Sequence, residues 1–352
     1  MPFVFYYIAV LFLMPFQGGV PLNIMMNSWR VSIMSTLFLP FVMWNVMRYD
    51  KSSIKLFRNT VLIGISVAIG YGLLLTTMSG LNPYIMLMPL ENDIDMARYY
   101  EAADTGRMFG RISSVFIQPM TFALFIGLSF IYLFYIKENI KKTILIILLG
   151  AVTIMALLCG VRSVLGGLAV AIFFYFFIEK NYKYFFCGSI IIGIFYVIIS
   201  QIPELSSYLS SLVDVNDKQG NVTGSSFDMR INQLYGAIDI AQKNPLFGLG
   251  YEWTNYYQIM KGHHPVCLAF ESLIFMIICN HGIFGFLIWT MIIFKYFDFN
   301  KRFRLKNTTI VNSLMVFYIS YACITGEYGY MSYFLIFYVL MLCENKIKKR
   351  II

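Results

Sequence analysis

The feature that most constrains this chain is a succession of apolar runs, each long enough or almost long enough to cross a membrane. Ten such runs lie at 3–19, 31–47, 59–80, 114–136, 143–160, 164–179, 184–200, 268–294, 308–325 and 331–343. A hydrocarbon core about 30 Å thick is crossed by a helix of about 20 apolar residues. Lipid offers no hydrogen bonds to an open backbone, so such spans form helices. The runs therefore predict an all-α polytopic membrane protein with about ten transmembrane helices.

The charge distribution predicts the orientation of these spans. Charged residues are only 13% of the chain, against about 25% in soluble domains. The segments on the side of the N-terminus are short and basic, namely 48–58, 137–142, 179–183, 295–306 and the tail from 344. They hold 18 of the 27 Lys and Arg residues, whereas the opposite side holds 13 of the 18 acidic residues. The positive-inside rule then predicts that both termini are cytoplasmic, so the net positive charge implies no nucleic-acid partner.

The long polar segment at 201–269 divides the chain. Residues 1–200 are predicted to form a membrane bundle of seven spans with an outer loop at 81–113, and residues 270–352 the last three spans and a cytoplasmic tail. Within 201–269, apolar residues recur at helical spacing after Asp228 until Asn244-Pro245. This pattern predicts an amphipathic helix on the outer face. In a chain with so little polar sequence, this segment is where we expect chemistry.

Three arginines on the predicted outer face are candidates for binding an anionic ligand. Arg162 lies in CGVRS, between two apolar runs with almost no loop. A charge at that depth is costly unless it is paired, so Arg162 either serves a function, snorkels to headgroups or pairs with Glu327. Arg111 and Arg230 lie beside patterned elements. A guanidinium has the planar fork that suits phosphate oxygens, and several arginines could form a cradle for a diphosphate.

Three residues are candidates for a catalytic base. Glu271 lies at the start of a long apolar run, where burial would raise its pKa and make it a better base. Alternatively, it is a carboxylate stabilised by a helix N-terminus. His263 and His264 are alternative bases or simple loop histidines. Adjacent histidines do not share one face of a helix, and no carboxylate pattern surrounds them, so we expect no metal. His281, within a span, is interpreted as a packing residue.

Three separated regions resemble the signatures of one family, in the usual order of that family. GRISSVFIQPMTFA at 110–123 resembles G-R-x-x-G-x-F-x-x-P-x-x-x-A, and VRSVLGGLAV at 161–170 resembles S-R-x-x-x-L. NPLFGLGYEW at 244–253, followed by NHGIFGF at 280–286, resembles P-x-x-G-x-G and G-I-x-G. Together with ten predicted spans and a long outer loop, these motifs resemble those of O-antigen polymerases and O-antigen ligases.

The resemblance implies a GT-C-like membrane glycosyltransferase of the bacterial inner membrane. Such an enzyme acts at the periplasmic face on glycans linked to undecaprenyl diphosphate, so the long outer loop would be periplasmic. The family's conserved arginines hold the diphosphate, and they match Arg162 and Arg230 here, with Arg111 as a third. No cofactor is expected. The expected partners are lipid-linked glycan substrates, membrane lipid, a chain-length regulator and a flippase.

Within the family, the motifs favour a polymerase. Counted back from Gly282, the position where ligases carry a His-Asn pair holds Glu271-Ser272. We therefore predict an O-antigen polymerase in which Glu271, His264 or His263 is the base. The first alternative is an O-antigen ligase, which transfers glycan to lipid A-core. The second is a polysaccharide or anion transporter, for which charges near mid-membrane or two related halves would be expected.

Overall fold

The computed structural model describes residues 2–77, 82–86, 112–183, 186, 227–303, 305 and 307–349. These residues are folded into α-helices joined by short loops, with one 3₁₀ turn at Met14–Phe16. In chain order, the helices are α1 Pro2–Leu13, α2 Leu22–Tyr49, α3 Lys51–Thr77, α4 Pro83–Met86, α5 Pro119–Tyr135, α6 Lys142–Leu158, α7 Arg162–Ile178, α8 Phe227–Ala241, α9 Trp253–Lys261, α10 Leu273–Arg302, α11 Thr308–Thr325 and α12 Tyr330–Lys349.

The helices define a polytopic α-helical membrane protein. Four of them are long and apolar enough to cross a membrane: α2, α3, α10 and α11. Shorter apolar helices coincide with five further predicted runs, at α1, α5, α6, α7 and α12. The predicted run at 184–200 lies outside the described residues. The described helices thus support several spans, while the number of ten stays a prediction.

The described part of the chain packs as two compact units, each built from segments distant in sequence. The first contains residues 1–51, 225–308 and 321–352. In it, α1 packs against α2 and α10, α12 packs against α2, and both α8 and α9 pack against α10. Its core includes Val10, Met25, Trp253, Phe270 and Phe275, all of them buried. Helices α8 and α9 come from the long polar segment, so this unit holds most of the chemistry-bearing residues.

The second unit contains residues 52–224 and 309–320. Within it, α5 packs against α6 and α7. Gly127 of α5 and Gly167 of α7 both face the ring of Phe317, and a Cβ on Gly127 would lie 2.0 Å from that ring. These small residues therefore let the helices approach one large aromatic side chain closely.

The sequential division of the chain at 200 and 269 stays a prediction, because it concerns the arrangement in the membrane.

A helix is present where the amphipathic helix was predicted: α8 begins at Phe227 and ends at Ala241. Its placement on the outer face stays a prediction. It packs through small and polar residues, since Gln233 and Ala237 are fully buried. The larger apolar side chains of Tyr235 and Ile238 are exposed. Close packing explains this choice, because a Cβ on Gly236 would lie 2.9 Å from the side chain of Val266. The sequence predicted the helix but not which of its faces packs.

Candidate active site

The two halves of the NPLFGLGYEW and NHGIFGF signature lock together around a break in α10. At Gly282 the backbone leaves helical geometry, with φ 57° and ψ −147°. The break lies nine residues after Leu273, so it is about 14 Å along the helix at 1.5 Å per residue. A break leaves backbone carbonyl and N–H groups without their helical partners, and inside a membrane such groups must be satisfied by other protein atoms.

The loop at 245–250 satisfies the freed groups of α10. Four hydrogen bonds join the loop to the break: Ile283 N–H donates to Pro245 O (3.0 Å), Phe284 N–H to Leu246 O (3.1 Å), Leu249 N–H to Cys279 O (2.8 Å) and Gly250 N–H to Asn280 O (3.2 Å). The two backbones approach so closely that a Cβ on Gly248 would lie 2.4 Å from the Asn280 carbonyl carbon. Gly282 is equally constrained, because its Cβ would lie 2.4 Å from Pro245 O. The signature glycines are therefore required by close approach and by positive φ.

Gln17, after α1, fastens the same junction from a third direction. Its Nε2 donates to Phe247 O at 2.6 Å and to Asn280 O at 3.0 Å. Its Oε1 accepts from Tyr251 N–H at 3.2 Å. The Asn280 side chain in turn accepts from Thr254 N–H at 3.0 Å, which positions the start of α9. Consequently the segment at 245–254 is held rigidly, including Glu252 at the start of α9.

A cavity of about 90 Å³ lies beside this junction, entirely within the first unit. Two carboxylates, three phenols, three aliphatic hydroxyls, one amide and one imidazole line it together with apolar side chains. The residues that carry these groups are Tyr6, Tyr7, Ser32, Ser35, Thr36, Tyr251, Glu252, Asn280, His281 and Glu327. Two carboxylates on one small cavity give the site a negative electrostatic potential. Glu252 and Glu327 are the two carboxylates among the lining residues, so this pairing is the main electrostatic feature of the cavity.

Two backbone N–H groups at the start of α12 bind the Glu327 carboxylate. Its Oε1 accepts from Met331 N–H at 2.7 Å, and its Oε2 accepts from Gly329 N–H at 3.3 Å. The N-terminus of a helix carries a partial positive charge, which favours a carboxylate. The tight turn uses Gly326 and Gly329, both with positive φ. Glu327 thus has backbone donors that Glu252 lacks.

Glu252 is the second carboxylate of the cavity, and its environment differs. It is half-buried and has a left-handed backbone, with φ 59° and ψ 23°. For a residue other than glycine this conformation costs of order 1 kcal/mol, and such residues cluster at functional sites. Burial, together with the negative charge of Glu327, raises the pKa of Glu252 to about 7. Glu252 can therefore both accept and release a proton near neutral pH.

His281 lines the cavity immediately before the break in α10. It is buried, and its Nε2 lies 3.3 Å from the Tyr6 hydroxyl. Its ring stacks with that of Tyr251, with 5.9 Å between centroids. The other ring nitrogen, Nδ1, has no hydrogen-bond partner among the described residues. The sequence suggested a packing residue, and the structure adds a buried ring nitrogen without a hydrogen-bond partner among the described residues.

The predicted arginine and base on the outer segment form an ion pair. Arg230 donates to the backbone carbonyl of Glu271 and, at 3.2 Å, to its Oε2, while Gln233 Oε1 accepts at 3.3 Å. The Arg230 and Glu271 side chains are 24% and 32% exposed. Ser272 caps α10, because its side chain accepts a hydrogen bond from Ile274 N–H. Glu271 precedes this cap, so it lies before α10 and not inside it. The expectation that Glu271 is buried within the apolar helix is wrong.

The two candidate histidines differ in their surroundings. His264 pairs with Leu268 through two backbone hydrogen bonds, and its Nδ1 accepts from the N–H groups of Val266 and Cys267 at 3.2 and 3.0 Å. Burial and the nearby Lys243 lower the pKa of His264. Its Nδ1 thus stabilises a turn, whereas His263 is exposed. The base role predicted for both histidines stays a prediction.

The other two predicted arginines are Arg162 and Arg111. Arg162 is the first residue of α7, half-buried, and it belongs to the second unit. Arg111 lies outside the described residues. Within the described ranges, no three His, Cys, Asp or Glu side chains come together in a metal-binding group. Among the predicted site residues, Arg230 and Glu271 form an ion pair in the first unit, whereas Arg162 belongs to the second unit.

Sequence reasoning missed the pairing of Glu252 with Glu327. Glu252 belongs to the NPLFGLGYEW signature, and Glu327 lies 75 positions later in the short TGEYG turn. The available signal was a carboxylate in each of two Gly-containing turns. Nothing in the sequence relates these turns, because only the packing of α12 and α9 around α1 and α2 brings both onto one cavity.

The class of this protein follows from these observations: it is a polytopic α-helical membrane protein in which a broken helix and a polar loop build a carboxylate-lined cavity. Residues 144–290 match the family model described as "Wzy_C: O-Antigen ligase". The match confirms the resemblance seen in the motifs: residues 144–290 are similar to a domain of the O-antigen polymerase/ligase family. Members of this family are membrane enzymes of the glycosyltransferase and ligase type. No curated protein and no solved structure matched the chain.

The matched region includes most of the site. It contains the signature at 244–253 and 280–286, the VRSVLGGLAV segment, Arg230, Glu252 and Glu271. The GRISSVFIQPMTFA segment with Arg111 lies before it, and Glu327 lies after it. The interlocked backbones at 245–250 and 279–284 therefore give a physical reason for a motif that the family match covers.

Proposed function

We propose that this chain is an O-antigen polymerase that joins repeat units linked to undecaprenyl diphosphate, at the periplasmic face of the bacterial inner membrane. The observation that most supports this proposal is the position of Arg230. Its guanidinium is partly exposed, lies in the family-matched region, and belongs to the same unit as the carboxylate cavity. A cation in the same unit as proton-accepting groups suits a transfer reaction whose leaving group is an anion.

The proposed reaction needs a cation on the leaving group and a base on the nucleophile. The growing glycan on its lipid diphosphate is the donor, and a hydroxyl of a second lipid-linked repeat unit is the acceptor. Arg230 stabilises the negative charge that develops on the departing diphosphate. The diphosphate-binding roles of Arg162 and Arg111 stay predictions from the sequence motifs. Glu271 holds Arg230 in the free protein, so a diphosphate would replace this carboxylate at the guanidinium.

Two observations bear on polymerase against ligase. Glu271 and Ser272 occupy the place of the His-Asn pair of ligases, and both have structural partners here: Glu271 pairs with Arg230 and Ser272 caps α10. These observations favour the polymerase. The printed description of the matching family is O-antigen ligase, which keeps the transfer of glycan to lipid A-core as the second candidate. No finding supports the transporter alternative.

A lipopolysaccharide gel tests the proposal in a native-host strain that lacks this gene. A polymerase deletion leaves core that carries a single repeat unit, and wild-type protein restores the ladder. A ligase deletion instead removes all repeat units from the core. If the deletion changes neither the ladder nor the capping of the core, the family function is not that of this chain.

Arginine variants at matched membrane levels test the diphosphate role. We expect Arg230→Ala to lower polymerisation by about 100- to 1000-fold, the usual loss when one electrostatic donor is removed. Arg230→Lys keeps the charge without the planar fork, so it should restore only part of the activity. Arg302→Ala is the control, because Arg302 is exposed and pairs only with a carboxylate one turn away. Equal ladders for Arg230→Ala and Arg302→Ala would contradict the role of Arg230.

A further inference from the structure

The carboxylate of Glu252 lines the cavity and has no part in the proposed binding of the diphosphate. Among the described residues, none donates a hydrogen bond to the Glu252 carboxylate, whereas Glu327 accepts two backbone N–H groups. Glu252 is also fixed in position, since the bonds of Gln17 and Asn280 hold the backbone on both sides of it. A carboxylate that has no hydrogen-bond donor among the described residues, on a fixed backbone beside a cavity, has the properties of a general base.

We propose that the cavity lined by Glu252 and Glu327 binds the acceptor sugar and that Glu252 is the base that removes the proton of its attacking hydroxyl. This inference rests on the proposed polymerase function and assigns the base and the acceptor site within it. The diphosphate-binding roles of the arginines are unchanged.

The cavity lining suits a sugar hydroxyl. The rings of Tyr6, Tyr7 and Tyr251 offer both apolar faces and hydroxyl groups, as sugar-binding sites require. Ser32 and Ser35 of α2 add two further hydroxyls. A volume of about 90 Å³ has room for several water molecules. One edge of a sugar ring can therefore enter and replace water, while the rest of the glycan stays outside.

His281 gives an independent indication of a ligand. Its Nδ1 is buried and has no hydrogen-bond partner among the described residues, although its Nε2 contacts Tyr6. A buried polar atom without a partner costs about 1–3 kcal/mol, so such atoms are uncommon unless a ligand or water completes them. His281 therefore places an unsatisfied ring nitrogen in the wall of the cavity that Glu252 also lines.

The segment at 269–276 connects the cavity with the ion pair of Arg230. Arg230 binds Glu271, which is two residues before Leu273, and Leu273 lines the cavity. The other side of this segment is fastened to the turn of Glu327, because Tyr328 donates to Ala269 O at 2.6 Å and Ser272 donates to Cys323 O at 2.7 Å. The guanidinium and the carboxylates therefore flank one short segment, as donor and acceptor ends of one reaction require.

The proposed step balances in atoms and charge. The acceptor hydroxyl gives its proton to the Glu252 carboxylate while its oxygen forms a bond to C1 of the donor sugar. The bond between C1 and the diphosphate oxygen breaks, and the electron pair leaves with the lipid diphosphate. Glu252 then releases the proton to water. Glu327 stays ionised at the start of α12, where its charge keeps the neighbouring carboxylate a stronger base.

The pH dependence of the reaction follows from the groups around Glu252. The titratable groups that line the cavity with it are Glu327, His281, Tyr6, Tyr7 and Tyr251. Because burial and Glu327 raise the pKa of Glu252 to about 7, the ionised base forms as the pH rises through neutrality. The rate should therefore rise with pH over that interval. Glu327→Gln removes a negative charge, so the pKa of Glu252 falls and the rise should occur at lower pH.

The test uses the full chain in membranes of the deletion strain. The substrate is the lipid-linked oligosaccharide fraction extracted from that strain, and product length is followed by mass spectrometry. We expect Glu252→Gln to lower the initial rate by about 100-fold or more, as for a lost general base. Asp298→Asn is the matched control, since Asp298 is exposed at the far end of α10 and pairs with Arg302. Membrane abundance and heat-induced aggregation are measured for every variant.

Each outcome decides between the two proposals. If wild-type membranes form no polymer from the extracted fraction, the polymerase proposal fails. If wild type forms polymer and Glu252→Gln does so within about twofold of it, the polymerase stands and the base assignment is wrong. The assignment is also overturned if Glu327→Gln leaves the pH profile in place, because a structural carboxylate pair would not move it.

A second variant covers the case in which Glu252→Gln does not accumulate. Glu252→Asp keeps the carboxylate but withdraws it by about one bond length, and displacing a catalytic group by about 1 Å can cost about 100-fold in rate. We expect a lowered rate with the pH rise retained. A rate equal to wild type would count against the base. Glu271→Gln and His264→Ala, measured alongside, should retain more activity than Glu252→Gln.

Discussion

At the scale of single residues, the contacts assign different tasks to side chains that look alike in the sequence. Glu252, Glu271 and Glu327 are all carboxylates beside apolar segments. Glu271 pairs with Arg230 and Glu327 with the start of α12, and the Glu252 carboxylate alone of the three faces the cavity without a hydrogen-bond donor among the described residues. Hydrogen bonds to a carboxylate stabilise its anion, so only Glu252 has the combination that makes a base near neutral pH.

The turn of His264 should loosen in acid. Burial and Lys243 lower the pKa of His264, so the neutral ring is favoured when the turn is closed and the opened turn binds more protons. Stability of the turn therefore falls as the pH drops through the ordinary value of about 6.5. Protonation also ends acceptance by Nδ1 from Val266 and Cys267. Hydrogen exchange of these two amides should rise by up to about tenfold per pH unit beyond the intrinsic rate.

Two histidine variants serve as controls for this measurement. His264→Ala should remove the pH dependence and leave both amides exposed at every pH. His263→Ala should leave it unchanged, because His263 is exposed and makes none of these contacts. A pH dependence that survives in His264→Ala would show that another group controls the turn.

At the scale of elements, the break in α10 is the feature that organises the site. Continuous helices would have left no place for the loop at 245–250, and Glu252 would not have been fixed beside α1. The break exposes backbone groups, the loop satisfies them, and glycine at both contact points lets the two backbones meet. The proposed site therefore depends on an irregular element that hydrophobicity alone would describe as one long span.

The glycine contacts predict a large loss of stability on substitution. Gly282→Ala forces a Cβ to 2.4 Å from Pro245 O at φ 57°, so we expect a loss of about 2–5 kcal/mol from strain and overpacking. The measurement is the fraction of folded monomer that survives heating in detergent. Gly150→Ala is the matched control, because its Cβ meets nothing within 4 Å and Gly150 lies within α6. Similar survival of the two variants would contradict the interlock.

At the scale of the whole molecule, one unit holds the carboxylate cavity and the Arg230 ion pair. Its three segments include both ends of the chain and the long polar segment. Consequently a cavity in this unit needs α1 and α2 from the start of the chain and α12 from its end. The family match covers only the middle of the chain, at 144–290, so α1, α2 and α12 complete the site from outside the matched region.

The charge asymmetry predicts the topology of the whole chain. Alkaline phosphatase is active only outside the cytoplasm, so its fusion within 137–142 or at 295–306 should be inactive. Fusion within 206–226 should be active. A green fluorescent protein at the C-terminus should fluoresce, because the basic tail is predicted to be cytoplasmic. Active phosphatase within 137–142 would reverse the predicted orientation and place the long segment in the cytoplasm.

The sequence by itself determined the class of protein, the approximate positions of its apolar helices, helix α8 and the family. These depend on local hydrophobicity, spacing and short motifs, which a chain displays without folding. It also identified Arg230 and Glu271, but not that they pair. Tertiary structure decided three other features: the break at Gly282, the buried face of α8, and the position of Glu252 and Glu327 on one cavity. They arise from contacts between distant segments, such as Tyr6 with His281, which are 275 positions apart, and no local pattern specifies such contacts.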